Sequence, residues 1–97
     1  MKVRLRINKV LPSKSGMSQR GTSWSKNEYV GETLDQYPRT VFFSLFNPDM
    51  NKHYLPQVTD VVDVDFDIES RMVPDASMNE RYFTEIKAYK IERVSGI

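Results

Sequence analysis

Apolar residues recur at every second position in stretch after stretch of this chain, and that period is the signature of β-strands with one face turned inward. In Lys2 to Val10, Val3, Leu5 and Ile7 share one face while Lys2, Arg4, Arg6 and Asn8 share the other. Val62, Val64, Phe66 and Ile68 alternate with Asp63, Asp65, Asp67 and Glu69, the clearest case, which predicts a strand over Val61 to Ser70. Between Arg39 and Phe46, Val41, Phe43 and Leu45 alternate with Phe42, Ser44 and Phe46. A strand is also expected from Trp24 to Thr33, with a bulge or sharp bend at Gly31, because glycine inside a strand often marks one. The final strand is expected from Arg81 to about Arg93, with Ile86 and Ala88 inward.

The connections are read from turn formers. Pro12, Ser15-Gly16 and Gly21 mark Ser13 to Ser23 as a loop, Asp35-Gln36-Tyr37-Pro38 as a turn, and Met72 to Asn79, with Pro74 and Asp75, as a second loop. Asn47 suits a helix cap, Pro48 a first helical turn and Asp49 the positive end of a helix dipole, so a short helix is expected over Asp49 to Leu55, stopped by Pro56. The expected order is three strands, a short helix and two strands in one domain spanning residues 1–97. Strands this few and short hide their edges best by closure. The expected fold is therefore all-β, a five-stranded Greek-key OB-fold barrel with a short helix between strands three and four.

Composition removes whole classes of function. With no cysteine there is no disulfide scaffold, thiolate metal site or cysteine nucleophile. No apolar run approaches the ~20 residues that span a bilayer, and the charged, alternating N-terminus does not resemble a signal peptide, so a cytoplasmic protein without membrane contact is expected. Net charge is only +1, so a nucleic-acid surface must come from segregating charges rather than from their sum. The basic ladder Lys2, Arg4, Arg6 and the acidic ladder Asp63 to Glu69 have the same pitch, roughly 7 Å. On adjacent antiparallel strands they are expected to face and neutralise each other. An extended row of carboxylates does not wrap a cation as a calcium loop does, so no metal site is expected.

Catalysis finds no support in the motifs. His53 is the only histidine, and none of the serines sits in a nucleophile elbow. Gly16 and Gly21 have the spacing of a phosphate loop, but Thr22-Ser23 stand where that motif needs Lys followed by Ser or Thr. The expectation is a protein that is not an enzyme, with no catalytic residues and no cofactor.

Aromatic and basic residues interleave on the expected second and third strands. Trp24, Lys26 and Glu28 share a face of one; Phe42 and Phe46 point outward from the other; Tyr37 and Arg39 sit at the turn between them, and Lys14 and Arg20 in the preceding loop. Aromatic platforms with flanking cations are how OB-folds hold single-stranded nucleic acid, each stacked base contributing about 1–3 kcal/mol. Trp24 either stacks a ligand or plugs one end of the barrel, and Phe42 and Phe46 serve a ligand, the core or a subunit contact.

Several runs resemble a known family: Ser15-Gly16-Met17-Ser18, Gly21 to Val30, Tyr37-Pro38-Arg39-Thr40-Val41-Phe42-Phe43, Val64 to Arg71, and Tyr82 to Tyr89. Together they are similar to short uncharacterised bacterial proteins classed as a domain of unknown function, with an OB-fold related to single-stranded DNA-binding protein. The resemblance covers most of the chain and implies a fold and single-strand binding. Phe46-Asn47-Pro48 departs from the aromatic-glycine ending of the family's third strand, and Met72 to Asn79 is longer than the usual hairpin loop. A role in recruiting partners through an acidic, glycine-rich tail is not expected. The resulting expectation is a homo-oligomer that binds single-stranded DNA or RNA with low sequence specificity through Trp24, Lys26, Arg39, Phe42, Phe46, Tyr37, Arg20 and Lys14. The alternative is a protein-interaction or assembly module in which the same aromatic face is the interface.

Overall fold

The computed structural model describes residues 1–46 and 54–94. Six strands fill most of them: β1 (Lys2–Val10), β2 (Lys14–Met17), β3 (Ser23–Thr33), β4 (Thr40–Phe46), β5 (Val61–Pro74) and β6 (Glu80–Arg93). Their order in the sheet is β1-β5-β6-β4-β3-β2, and β1 pairs with β3 as well. The five long strands therefore form a closed circuit, with β2 outside it. All pairings are antiparallel except β4 with β6, which is parallel and limited to Ser44 opposite Lys87 and Leu45 opposite Ala88.

Closure buries the inward positions of the alternating stretches. Leu5, Ile7, Tyr29, Phe43, Leu45, Val62, Val64, Ala88 and Ile91 form one buried cluster, with Val3, Val41, Phe66 and Ile86 packed against it. Tyr29 and Phe43 meet with ring centroids 5.3 Å apart. Each fully buried aliphatic or aromatic side chain in such a cluster contributes about 1.5–3 kcal/mol. Ile68 departs from the pattern and is exposed, because β5 and β6 run on beyond the ring as a two-stranded hairpin.

The expected loop at Ser13 to Ser23 contains β2, which makes six strands rather than five. Proline, glycine and serine argue for a loop locally, yet pairing with β3 decides the outcome: Lys14 lies opposite Lys26 and Gly16 opposite Trp24. Pro12, which has no N–H, breaks what is otherwise a continuous path beside β3. Leu11 N donates to Glu28 O at 3.0 Å and Ser13 Oγ to Asn27 Oδ1 at 2.7 Å, holding the corner. Gly21, at φ +80°, completes the turn into β3.

The helix expected over Asp49 to Leu55 is not seen where it can be judged. Tyr54 and Leu55 are not helical, and Asp49 to His53 lie outside the described residues, as does the single histidine. The loop expected at Met72 to Asn79 is shorter, since β5 continues through Pro74. Asp75 builds the turn: its Oδ1 accepts from the backbone N–H groups of Ser77 and Asn79, each at 2.9 Å, and Met78 takes φ +61°.

At Gly31 the irregularity falls on the opposite strand. The register of β1 against β3 shifts between Ile7 and Lys9, and Gly31 sits across from Ile7. A Cβ on Gly31 would stand 3.1 Å from Leu5 Cβ and 3.2 Å from Arg6 O, so the glycine is there for close approach.

The charge ladders meet only in part. β1 and β5 are antiparallel neighbours, with Lys2 opposite Asp65 and Arg4 opposite Asp63. Arg4 grips Asp63 with both ends of its guanidinium, Nε to Oδ1 at 2.8 Å and Nη2 to Oδ2 at 3.1 Å. Arg6 instead faces Val61, and Glu69 turns to Lys87 on β6 at 3.0 Å. The register sets the acidic ladder of β5 partly against β1 and partly against β6.

Candidate nucleic-acid interface

The outward face of β3 and β4 is set by register. Lys26 lies opposite Phe46, Glu28 opposite Ser44, and Val30 opposite Phe42. Since Tyr29, Phe43 and Leu45 point into the core, alternation sends Lys26, Glu28, Phe42, Ser44 and Phe46 outward. Beside β4, Lys87 of β6 joins them.

Phe46 is the centre of this face. The ammonium of Lys26 lies 5.3 Å from its ring centroid and that of Lys87 5.2 Å, both within cation–π range. The ring remains 38% exposed. Trp24 lies one strand further out. Its indole covers Gly16 on β2 so closely that a Cβ there would fall 2.8 Å from Cζ2 and 2.9 Å from Cε2. Glycine is thus what lets the ring settle on the backbone of β2, and Trp24 keeps 38% of its surface open. It does not belong to the buried cluster, so it does not plug the ring of strands.

Glu28 is an acid at the heart of the same face, only 5% exposed. Lys14 Nζ approaches its Oε1 at 2.9 Å and Lys26 Nζ its Oε2 at 3.5 Å. The ammonium of Lys14 is what meets Oε1, which is otherwise buried without a hydrogen-bond partner. Hydrogen bonding from Lys14 is the largest cause of a lowered Glu28 pKa; burial opposes it, and the charge of Lys26 adds to the lowering. Two of the lysines expected to hold phosphate are therefore engaged with a carboxylate. Lys87 is likewise paired with Glu69, and Glu85 lies 4.0 Å away. Three lysines and three glutamates cancel across this surface.

Among the described residues, Arg20 and Arg39 form no ion pair. Arg20 lies in the turn between β2 and β3, close in sequence to Trp24. Tyr37 and Arg39 belong to the turn at the far end of β3, where Thr33 N donates to Arg39 O at 3.0 Å and Arg39 N to Thr33 Oγ1 at 2.9 Å. The eight expected residues thus divide: Trp24, Lys14, Lys26, Phe46 and Arg20 cluster at one end, Phe42 sits mid-strand, and Tyr37 and Arg39 stand most of the length of β3 away.

β6 supplies what was not foreseen. N-terminal to Lys87 it diverges from β4, opening a cleft of about 220 Å³ lined by Lys26, Glu28, Phe42, Ser44, Thr84, Glu85 and Ile86. A smaller one of about 90 Å³ adjoins it through Glu85 and includes Arg71 and Phe83. The period-two series Phe83, Glu85, Lys87 was visible in the sequence; its place beside the third expected strand followed from the strand order alone.

Comparison with known families decides the membership. The chain belongs to the family called domain of unknown function DUF3127, whose model matches residues 2–92. No curated protein shows a significant match to it. The DUF3127 chain is similar in structure to the second OB-fold domain of replication protein A from Methanococcus maripaludis, solved by solution NMR. The TM-score is 0.64 at 14% identity, over 99% of this chain and 84% of that one. That likeness shows the OB-fold. Among the described residues, no helix of this DUF3127 protein is long and apolar enough to cross a membrane.

Proposed function

We propose that this DUF3127 protein binds single-stranded DNA with low sequence specificity across the outward face of β3, β4 and β6, without catalysing a reaction. The observation that carries the reading is a pair of open aromatic rings on neighbouring strands: Trp24 laid on Gly16, and Phe46 set between two lysines. Such rings stack any base, because every base offers a flat π-face. The structural neighbour, an OB-fold domain of replication protein A, supports the same reading.

The charge pairing refines it. With Lys14, Lys26 and Lys87 matched by carboxylates, few cations remain for phosphates, chiefly Arg20 and Arg71. Two phosphate contacts on a single strand give a slope of log K against log salt no steeper than about −2. Titration with a single-stranded thymine oligomer, followed by Trp24 fluorescence at several salt concentrations, tests this. Quenching with a shallow salt slope is expected; unchanged emission and mobility at low salt would exclude the reading.

A second reading has its own support. Ile68, Met72 and Tyr82 share one face of the hairpin formed by β5 and β6, and all three are exposed. Such a stripe suits a second copy of the chain, making the protein a homo-oligomer. Light scattering on Met72→Glu against the unaltered chain separates the two. A dimer that falls to monomer supports assembly through the hairpin, and a monomer in both cases excludes it.

A further inference from the structure

We infer that the cleft between β4 and β6 takes a guanine base of the bound strand, with the N1–H and N2–H edge donated to Glu28 and the ring lying against Phe42. The inference rests on the single-strand reading and adds base selection at one position.

The cleft has the size for it. At about 220 Å³ it falls below the ~300–1,000 Å³ of sites for drug-sized ligands and suits a single ring system. It exists because the parallel pairing of β4 with β6 ends at Ser44 and Lys87. Phe42, 48% exposed, supplies an apolar wall, and Ile86 faces it from β6.

Its chemistry selects among bases. Glu28 and Glu85 present carboxylates, which accept hydrogen bonds and cannot donate them. A thymine edge has one N–H between two carbonyls, and those carbonyls would meet the carboxylate in repulsion. A guanine edge has two adjacent donors, matching the two oxygens of one carboxylate. Glu28 is also an unusual residue for this place: a buried acid in the middle of an outward face, whose Oε1 is met only by the ammonium of Lys14. A neutral or apolar residue would avoid the cost of burying a carboxylate. The base edge supplies two fixed donors in place of that ammonium.

Lys14 completes the exchange. Its ammonium lies 2.9 Å from Oε1, but its side chain is 61% exposed, so it can swing aside. Released by the incoming base, the ammonium becomes free for a backbone phosphate of the same strand. Trp24 and Phe46 stack neighbouring bases without choosing among them, so the preference is confined to one position.

The test compares an all-thymine oligomer with the same oligomer carrying one central guanine, and with one carrying hypoxanthine there, which lacks the N2 amino group. The guanine oligomer is expected to bind about tenfold tighter than all-thymine, with hypoxanthine between them. Glu28→Gln should remove most of the guanine preference while leaving thymine binding in place. The hypoxanthine comparison leaves the protein untouched and so stands even where the variant fails to fold. Equal binding of the three oligomers overturns the inference and spares the single-strand reading. A guanine preference that survives in a folded Glu28→Gln also overturns it. Binding to none of them at low salt overturns both.

Discussion

The indole of Trp24 rests on Gly16 of the neighbouring strand, leaving no room for even a methyl group between them. Gly16→Ala should therefore push the ring off β2. The expected cost is about 1 kcal/mol, at the low end for overpacking because the ring can turn outward. A red-shifted tryptophan emission, read alongside thermal unfolding, checks it. An unshifted spectrum would mean that the ring does not lie where the fold places it.

Trp24→Ala separates the roles of platform and plug. Because Trp24 stands outside the buried cluster, its removal should lower stability by no more than about 1 kcal/mol. Loss of one stacked base should weaken single-strand binding by about 1–3 kcal/mol. Denaturant unfolding and oligomer titration of the same variant give both quantities. A loss of stability on the scale of a core truncation would return Trp24 to the role of a plug.

Leu5 provides that scale. It is fully buried and touches the position where Gly31 makes room for β1. Leu5→Ala should cost about 2–5 kcal/mol through lost burial and the cavity left behind. Gly31→Ala, whose Cβ would press on Leu5 Cβ and Arg6 O, should cost about 1–3 kcal/mol. Chemical denaturation measures both, and a tolerated Gly31→Ala would show that β1 can give way at its bulge.

Acid should act in part through Asp63 and Asp60. The Asp63 carboxyl is held below its usual pKa chiefly by hydrogen bonding to Arg4, and that of Asp60 chiefly by the hydroxyl of Tyr54, which donates to its Oδ2. A carboxyl with a lowered pKa in the fold stabilises above its unfolded value, near 4, and this contribution is lost as pH falls through the lower folded value. Stability should be flat from neutral pH down to about 5 and then decline. Asp63→Asn should be less stable than the parent chain at neutral pH and lose less below pH ~4. Unfolding followed across that range decides it, and parallel curves for the two chains would count against the pairing.

At the tip of the β5–β6 hairpin, Met78 is 88% exposed and adopts φ +61°. A left-handed conformation costs a side-chain-bearing residue about 1–2 kcal/mol, part of which glycine gives back in the freedom of its unfolded chain. Met78→Gly should raise stability by up to about 1 kcal/mol. Ala76→Gly in the same turn, at a position without positive φ, should lower it; equal effects would remove the strain argument.

The strand positions were legible because a period of two needs no knowledge of neighbours. Val62 and Val64 on β5, Phe43 and Leu45 on β4, and Leu5 and Ile7 on β1 alternate in the sequence and are buried in the fold. β2 was not legible, since Ser15, Gly16 and the nearby Pro12 have the composition of a loop and become a strand only by pairing with β3. Ile68 continues the alternation yet lies in solvent, because nothing local states where the ring ends and the free hairpin begins. The Glu28 site was hidden for the same reason: the shared face with Lys26 was visible, but not the partners from β2 and β6.

What the sequence determined by itself is therefore the all-β character, the inward residues of β1, β4 and the first half of β5, and the aromatic face of Trp24, Phe42 and Phe46. Each is encoded by spacing within one strand. Only the tertiary structure decided which charges meet. It spent Lys14 and Lys26 on Glu28, split the acidic ladder between Arg4 and Lys87, and opened the cleft beside β6. Those outcomes depend on register between strands distant in sequence, and a one-residue shift in pairing would give every side chain a different neighbour.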